Sequence, residues 1–327
     1  MKNYKNIIYV DTVYSLLLTF LLEPDIDNNL YLLNDKFPEN ITKNIKNKII
    51  LKTFDETKIK IIKYIKIRYF LKKIKKILDI IISNKKNFYI QDHIEYSQFF
   101  LNNYSSNFIL IEDGILNYRF ENMKNKKMTF HRKLKRNFVY LAKENYENCG
   151  RSEKIKKIYL TGIMSIPDII SMKVEKINIE EKWNKLQEEK KEKILKIYNI
   201  NLEKLRKDKS EKILLLTQPF SEINFLTEKE KINMYKEILK KETGKKIYIK
   251  MHPIEKTNYA AEFKSFNVEI LEKDFPIELI GILELDFFKV ITICSTAAYN
   301  FREKYNIDFL GTEFNKKLFD KIGRIEF

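Results

Sequence analysis

Short apolar runs separated by longer amphipathic ones set the tightest limit on what this chain can fold into. NIIYVD (6–11), LYLLND (30–35), NFYIQD (87–92), NFILIED (107–113) and KIYLTG (157–162) read as strands. A polar helical stretch follows, IEEKWNKLQEEKKEKILKIY (179–198). Strands then resume with KILLLTQP (212–219), KIYIKMHP (246–253), NVEIL (267–271), KVITICST (289–296) and DFLGTE (308–313). Helical patterns separate most of them. In TEKEKINMYKEILKKETG (227–244), Thr227 and Glu230 stand in capping-box register and Gly244 closes the pattern. Such alternation predicts βαβ units and parallel sheets. Two sets divided by a charged connector predict an α/β chain of two Rossmann-like domains, 1–172 and 173–327, with parallel sheets facing across a cleft. A length of 327 residues suits two cores.

The apolar run Val13 to Leu22 is too short to span a bilayer, and no small-residue cleavage site follows it, so it reads as the first helix of a folded domain. Two distant cysteines, Cys149 and Cys294, and three scattered histidines give no disulfide framework and no zinc spacing, which points to a reducing compartment. The formal net charge of +17 is partly a general preference for lysine, but 58-KIKIIKYIKIRYFLKKIKKILDIIISNKK-86 concentrates ten lysines, one arginine and one aspartate. Apolar residues at 61, 62, 65, 69, 70, 74, 77, 78 and 81 recur at helical spacing and predict a packed side opposite a basic face. That face reads as solvated, as a contact with an anionic membrane surface, or as a nucleic-acid contact. The stretch KNKKMTFHRKLKRN (124–137) is similarly basic.

In open parallel sheets ligands bind beyond the carboxyl ends of the strands. Four strand ends carry chemistry. Glu112-Asp113-Gly114 places carboxylates beside a residue that permits a sharp exit, and one of them could take a proton from an attacking hydroxyl; the same residues also read as an acidic helix cap. Thr217-Gln218-Pro219 closes another strand. His252 before Pro253, with Lys250 on the same side by alternation, could hydrogen-bond or protonate a phosphate, or be satisfied locally. Ser295 and Thr296 open the helical pattern AAYNFREKYN, which suits an anion or an ordinary cap. Glu278 lies in the first turn of a short helix, where a carboxylate can hold both ribose hydroxyls. A hydroxyl nucleophile, a carboxylate base, a phosphate leaving group and a nucleoside together describe glycosyl transfer from a nucleotide sugar. The one Asp-x-Asp, Asp25-Ile26-Asp27, stands in an early Pro/Asn-rich loop, so no divalent metal is expected.

The EDG at 112–114, LLLTQPFSE at 214–222, HP at 252–253 and the hydroxyl pair at 295–296 resemble the motifs of bacterial sialyltransferases of glycosyltransferase family 52, in order across most of the chain. The resemblance implies a GT-B fold and CMP-sialic acid as donor. It further implies inversion without metal or cofactor, an acceptor-binding N-terminal domain and a CMP-binding C-terminal one. It maps the base to Asp113, with Glu112 as alternate and Glu222 as rival, because some members use an acidic residue just after the TQP-like stretch. His252 would serve the CMP phosphate with Ser295 and Thr296 beside it, and Glu278 the ribose. A glycan such as the terminal galactose of lipooligosaccharide or capsule is the expected acceptor. Expected too are a bacterial cytoplasmic location, peripheral on the inner membrane through residues 58–86, and a homodimer. Other CMP-sugar transfer, of Kdo or polysialic acid, and a basic nucleic-acid-binding role remain the alternatives.

Overall fold

The computed structural model describes residues 3–82, 86–118, 137–144, 146–207, 210–283 and 285–325, so most of the basic stretch 124–137 lies outside the described residues. The chain divides into two compact units, Met1–Tyr198 and Asn199–Phe327.

The first unit carries seven parallel strands: β1 (Asn6–Tyr9), β2 (Leu30–Asn34), β3 (Lys48–Leu51), β4 (Asn87–Ile90), β5 (Asn107–Ile111), β6 (Ile155–Leu160) and β7 (Val174–Lys176). Their order is β3-β2-β1-β4-β5-β6-β7. One face of the central strands presents Ile7, Tyr9, Leu30, Leu32, Phe88, Ile90, Phe108 and Leu110 to a single core. The intervening Ile8, Val10, Tyr31, Leu33, Ile109 and Ile111 are buried too. Burial on both faces is what a parallel sheet requires, and it explains why these strands read as continuous apolar runs. The apolar run near the N-terminus forms the helix Val13–Leu22, buried from Ser15 to Leu21 and capped by Thr12, whose hydroxyl accepts the Ser15 N–H at 3.1 Å.

Two strands escaped the sequence pattern, β3 and β7, and both lie at the edges of the sheet. An edge strand is covered less: Lys48, Ile49 and Ile50 are half-buried, and Glu175 and Lys176 are exposed. β7 also explains why the first unit runs past residue 172. Val174–Lys176 pairs parallel with β6, and the connector beyond it folds back as two helices, Ile179–Asn184 and Glu188–Ile197. Trp183, Ile194, Ile197 and Tyr198 are buried, and the Tyr198 hydroxyl donates to the Val13 carbonyl at 2.9 Å.

The second unit has five parallel strands: β8 (Lys212–Leu216), β9 (Lys246–Lys250), β10 (Val268–Ile270), β11 (Phe287–Thr292) and β12 (Asn306–Phe309), ordered β10-β9-β8-β11-β12. Ile213, Leu215, Ile247, Ile249 and Ile291 pack against Ile232, Tyr235, Ile238 and Leu239 of the helix Glu228–Lys241. That helix starts with the expected capping box between Thr227 and Glu230. In both units the order reverses beside the first strand, between β1 and β4 and between β8 and β11. These are the switch points where a crevice opens at the carboxyl edge.

Candidate active site

At the carboxyl edge of the first unit, hydrogen bonds tie the ends of β1, β4 and β5 together. The Asp11 N–H donates to Gln91 Oε1 at 2.7 Å, Gln91 Nε2 donates to Ser15 Oγ at 2.9 Å, and Ser15 Oγ donates to the Glu112 carbonyl at 2.6 Å. Asp92 accepts the N–H groups of Cys149 and Gly150 at 2.8 and 2.7 Å and so pins a neighbouring turn. Within this frame, His93 Nε2 stands 2.7 Å from Asp113 Oδ2.

Glu112 and Asp113 have different fates, although they are adjacent. Glu112 is fully buried. Its carboxylate accepts from the Tyr14 and Tyr118 hydroxyls at 2.7 and 2.6 Å, and from the Thr161 N–H and hydroxyl at 2.5 and 2.9 Å. Burial pushes its carboxyl up, against those hydrogen bonds. Glu112 therefore holds the strand ends together and is closed to solvent. Asp113 keeps about a fifth of its side chain exposed, its N–H donates to Asn117 Oδ1 at 2.6 Å, and Gly114 turns the chain away at φ +56°, in the left-handed region.

His93 was not singled out from the sequence. Burial opposes its protonation, but the hydrogen bond to Asp113 and the charges of Asp113, Asp92 and Asp11 outweigh that and hold its pKa above the usual value. Asp11, across the switch point, is pushed up to about 6 by burial and then by the charge of Asp113. A carboxylate held by the His93 ring and partly open to solvent can accept a proton from a bound hydroxyl. The signal for His93 was its place three residues past the end of β4, in IQDH, parallel to IEDG; reading the strand ends as a set would have found it.

The second unit is organised by Glu255, another residue absent from the sequence reading. Its buried carboxylate accepts the Thr217 hydroxyl at 2.6 Å, the Tyr259 hydroxyl at 2.7 Å and the His252 N–H at 2.7 Å. The Glu255 N–H returns to the His252 carbonyl at 3.0 Å, closing His252-Pro253-Ile254-Glu255 as a turn. The Ile254 N–H donates to His252 Nδ1 at 3.3 Å, so the ring proton belongs on Nε2. Burial, then the charge of Lys250, depresses the His252 pKa. The imidazole is thus neutral near pH 7 and offers an N–H.

Lys250, expected on the same side by alternation, does act on His252 by its charge. Its ammonium is buried, donates to the Met251 and Lys273 carbonyls at 3.2 and 2.8 Å and sits 5.0 Å from the centre of the Phe275 ring. Burial brings its pKa down to about 8, with Glu278 and Asp274 opposing. The backbone N–H of Gln218 donates to the Tyr235 hydroxyl at 2.8 Å, and Pro219 starts the following turn, where the Ile223 N–H reaches its carbonyl. Glu278 opens the helix Glu278–Ile282 as expected. Ser295 is buried and its N–H donates to Thr292 Oγ1 at 3.0 Å, but the expected α-helix after it is replaced by 3-10 turns over Thr296–Phe301. The Thr296 side chain lies outside the described residues.

Glu222 is committed to an ion pair. It meets the buried Lys231 ammonium at 2.9 Å and accepts the Lys256 N–H at 2.6 Å. Burial raises its pKa, but the Lys231 hydrogen bond and the backbone donors outweigh that and bring it down to about 2. A pKa lowered by folding contributes stability above the unfolded value, and this contribution is lost as pH falls from about 4.5 towards 2. Glu222→Gln is expected to destabilise by about 2–3 kcal/mol in urea melts, less than the usual cost of breaking a buried pair because Lys231 keeps Glu228 and Glu255 nearby. A cavity of about 810 Å³ is lined by residues that include Glu222, Phe225, Glu228, Lys256, Lys317 and Lys321, but by none of His252, Glu278 or Ser295.

Asp25 and Asp27 pair with Lys190 and Lys193 at 3.4 and 2.5 Å, which gives the Asp-x-Asp a role in bracing the returning connector. Among the described residues no group of three or more His, Cys, Asp or Glu side chains is placed to hold a metal ion.

Residues 27–314 match glycosyltransferase family 52. A protein of Haemophilus influenzae, described as uncharacterised, is 36% identical over 239 residues, covering 73% of this chain and 72% of its own length. Among solved structures, an α/β-galactoside α-2,3-sialyltransferase from Photobacterium phosphoreum superposes with a TM-score of 0.54 at 13% identity, over 98% of this chain and 95% of its own. A UDP-GlcNAc 2-epimerase from Neisseria meningitidis gives a TM-score of 0.48 at 12% identity, over 90% and 78%. Two parallel-sheet units of this order have the GT-B architecture of the Photobacterium enzyme. The chain belongs to glycosyltransferase family 52.

Proposed function

We propose that this family 52 enzyme is an inverting sialyltransferase that moves sialic acid from CMP-sialic acid to a glycan hydroxyl without a metal ion. The reading is carried by the His252 turn. There the second unit presents a neutral imidazole at a strand end, its Nδ1 occupied by a backbone N–H and its Nε2–H left for a ligand. In the proposed step the acceptor oxygen attacks the anomeric carbon while the bond to the CMP phosphate breaks. Asp113 receives the hydroxyl proton, with His93 holding its carboxylate in place, and attack opposite the leaving group inverts the centre. His252 donates to the phosphate as negative charge gathers there, and Glu278 is assigned to the ribose.

The acceptor is proposed to be a terminal galactose of a surface lipooligosaccharide or capsule, in keeping with the galactoside named for the Photobacterium enzyme. The proposed place of work is the cytoplasmic side of a bacterial inner membrane; none of the described helices is long and apolar enough to cross a membrane. A thermal-shift series with CMP, UDP, GDP and ADP tests the donor class. CMP alone should raise the melting temperature, by mass action on the folded state. A response to UDP and none to CMP would remove the reading.

A further inference from the structure

The buried ammonium of Lys250 joins two loops that the proposed reaction uses separately. Lys250 closes β9 and keeps only 6% of its surface exposed. Its Nζ donates to the Met251 carbonyl at 3.2 Å, at the start of the His252 turn, and to the Lys273 carbonyl at 2.8 Å, in the loop after β10. The Lys273 ammonium returns the tie, donating to the Glu255 carbonyl at 3.2 Å. The pairing of β10 with β9 ends at the Leu271 N–H, which donates to the Ile249 carbonyl at 2.9 Å; beyond it the two lysine ties join the loops. The buried Phe275 ring faces the Lys250 charge. Three residues later the same loop delivers Glu278 as the first residue of its helix. Burying an ammonium is costly, and the direct partners here are two neutral carbonyls and a ring face. Methionine would fill the same space at less cost, so the charge is kept for what it holds.

We propose that Lys250 is a positioning residue for the nucleotide, clamping the Glu278 loop onto the His252 turn and so setting the ribose-binding carboxylate relative to the phosphate-binding imidazole. The inference rests on the nucleotide roles given above to Glu278 and His252. Burial brings the Lys250 pKa down to about 8, while Glu278, Asp274 and Glu255 support its charge and Lys273 opposes it. The clamp is therefore charged near pH 7 and mostly neutral near pH 9, where the ring attraction and the charge-assisted bonds are lost. His252, with its pKa depressed, is neutral throughout that range. A pKa lowered by folding makes this group favour the folded chain more as pH rises from about 8 towards 10.5. Weaker nucleotide binding in that range does not, then, come from Lys250 unfolding the protein.

The test titrates the full chain with CMP and with 2′,3′-dideoxy-CMP, which carry the same phosphate and differ only in the hydroxyls assigned to Glu278. At pH 7 the parent should prefer CMP by about tenfold or more. At pH 9 its CMP affinity should fall about five- to tenfold with the charged fraction of Lys250, and the dideoxy affinity should barely move. Lys250→Met should show little preference at either pH, and Lys273→Met, which removes the second tie alone, an intermediate one. In the ligand-free chain, amide exchange over residues 272–275 should be at least about tenfold faster in Lys250→Met than in the parent. The proposal is overturned if Lys250→Met keeps the preference, or if both ligands weaken equally, which would mean attraction of phosphate by charge alone. Should Lys250→Met fail to fold, a preference that is the same at both pH values and in Lys273→Met overturns it. Unchanged exchange in the folded variant overturns the clamp whatever the nucleotide does. A parent that binds neither ligand removes the donor reading itself, and the nucleotide role of Lys250 with it.

Discussion

Asp113→Asn is expected to lower kcat for sialyl transfer by about 10²–10⁴-fold. Asparagine keeps the size of the side chain and can still meet His93, so the strand-end frame should survive and the melting temperature should move little. What it loses is a lone pair able to accept the proton of the acceptor hydroxyl. CMP affinity should be unchanged, since the proposal gives the nucleotide to the second unit. Hydrolysis of CMP-sialic acid without acceptor should fall less than transfer, because bond cleavage to the phosphate remains supported. His93→Asn should give an intermediate loss of kcat, because it disturbs the orientation of the base and leaves the base itself in place. Glu222, the rival for this role, serves as the control. Glu222→Gln, carrying an ion-pair defect, should keep kcat within a few-fold at temperatures well below its melting point. If Asp113→Asn turns over normally and Glu222→Gln carries the loss, the base is Glu222 and the first-unit reading fails.

Sequence reading recovered every central strand and the edge strands β10 and β12, but missed the edge strands β3 and β7. NIIY, NFILI and KILLL announce themselves because a central parallel strand needs apolar residues on both sides. KIIL sat within a polar neighbourhood and VEK has one apolar residue, yet both add to the sheet, because an edge strand is held by backbone hydrogen bonds on one side and needs little burial. The same blind spot displaced the expected domain boundary. A connector rich in Glu and Lys looked like a linker, but Trp183, Ile194, Ile197 and Tyr198 anchor it on the first unit.

At the site, residue type was legible and partnership was not. EDG, TQP and HP were found because chemistry-bearing residues at strand ends stand out against apolar runs. Which of two adjacent carboxylates is buried depends on Tyr14, Tyr118 and Thr161, which come from three separate segments. Glu255 looked like any acidic residue in a loop; only the fold reveals that Thr217, Tyr259 and the His252 backbone converge on it. On the helix at residues 60–81, isoleucines are so frequent that periodicity supported two faces, and packing chose the one through Ile67.

His252→Ala should also remove about 10²–10⁴ in kcat, with a pattern distinct from that of Asp113→Asn. An N–H directed at a phosphate counts most when the bond to the sugar is breaking and charge collects on the oxygens, so donor hydrolysis and transfer should fall together. Ground-state CMP binding should weaken only modestly, because the donor charge is smaller there. His252→Asn, which can place an amide N–H near the same point, should recover part of the loss. The pH profile gives a further handle. With the pKa of His252 depressed, the ring stays neutral above its ordinary value near 6.5, so no alkaline fall in rate should trace to loss of an imidazolium. A rate that drops between pH 6 and 8 in the parent, and loses that drop in His252→Asn, would mean that His252 works as a charged acid. In that case the tautomer assigned from the Ile254 N–H would be abandoned.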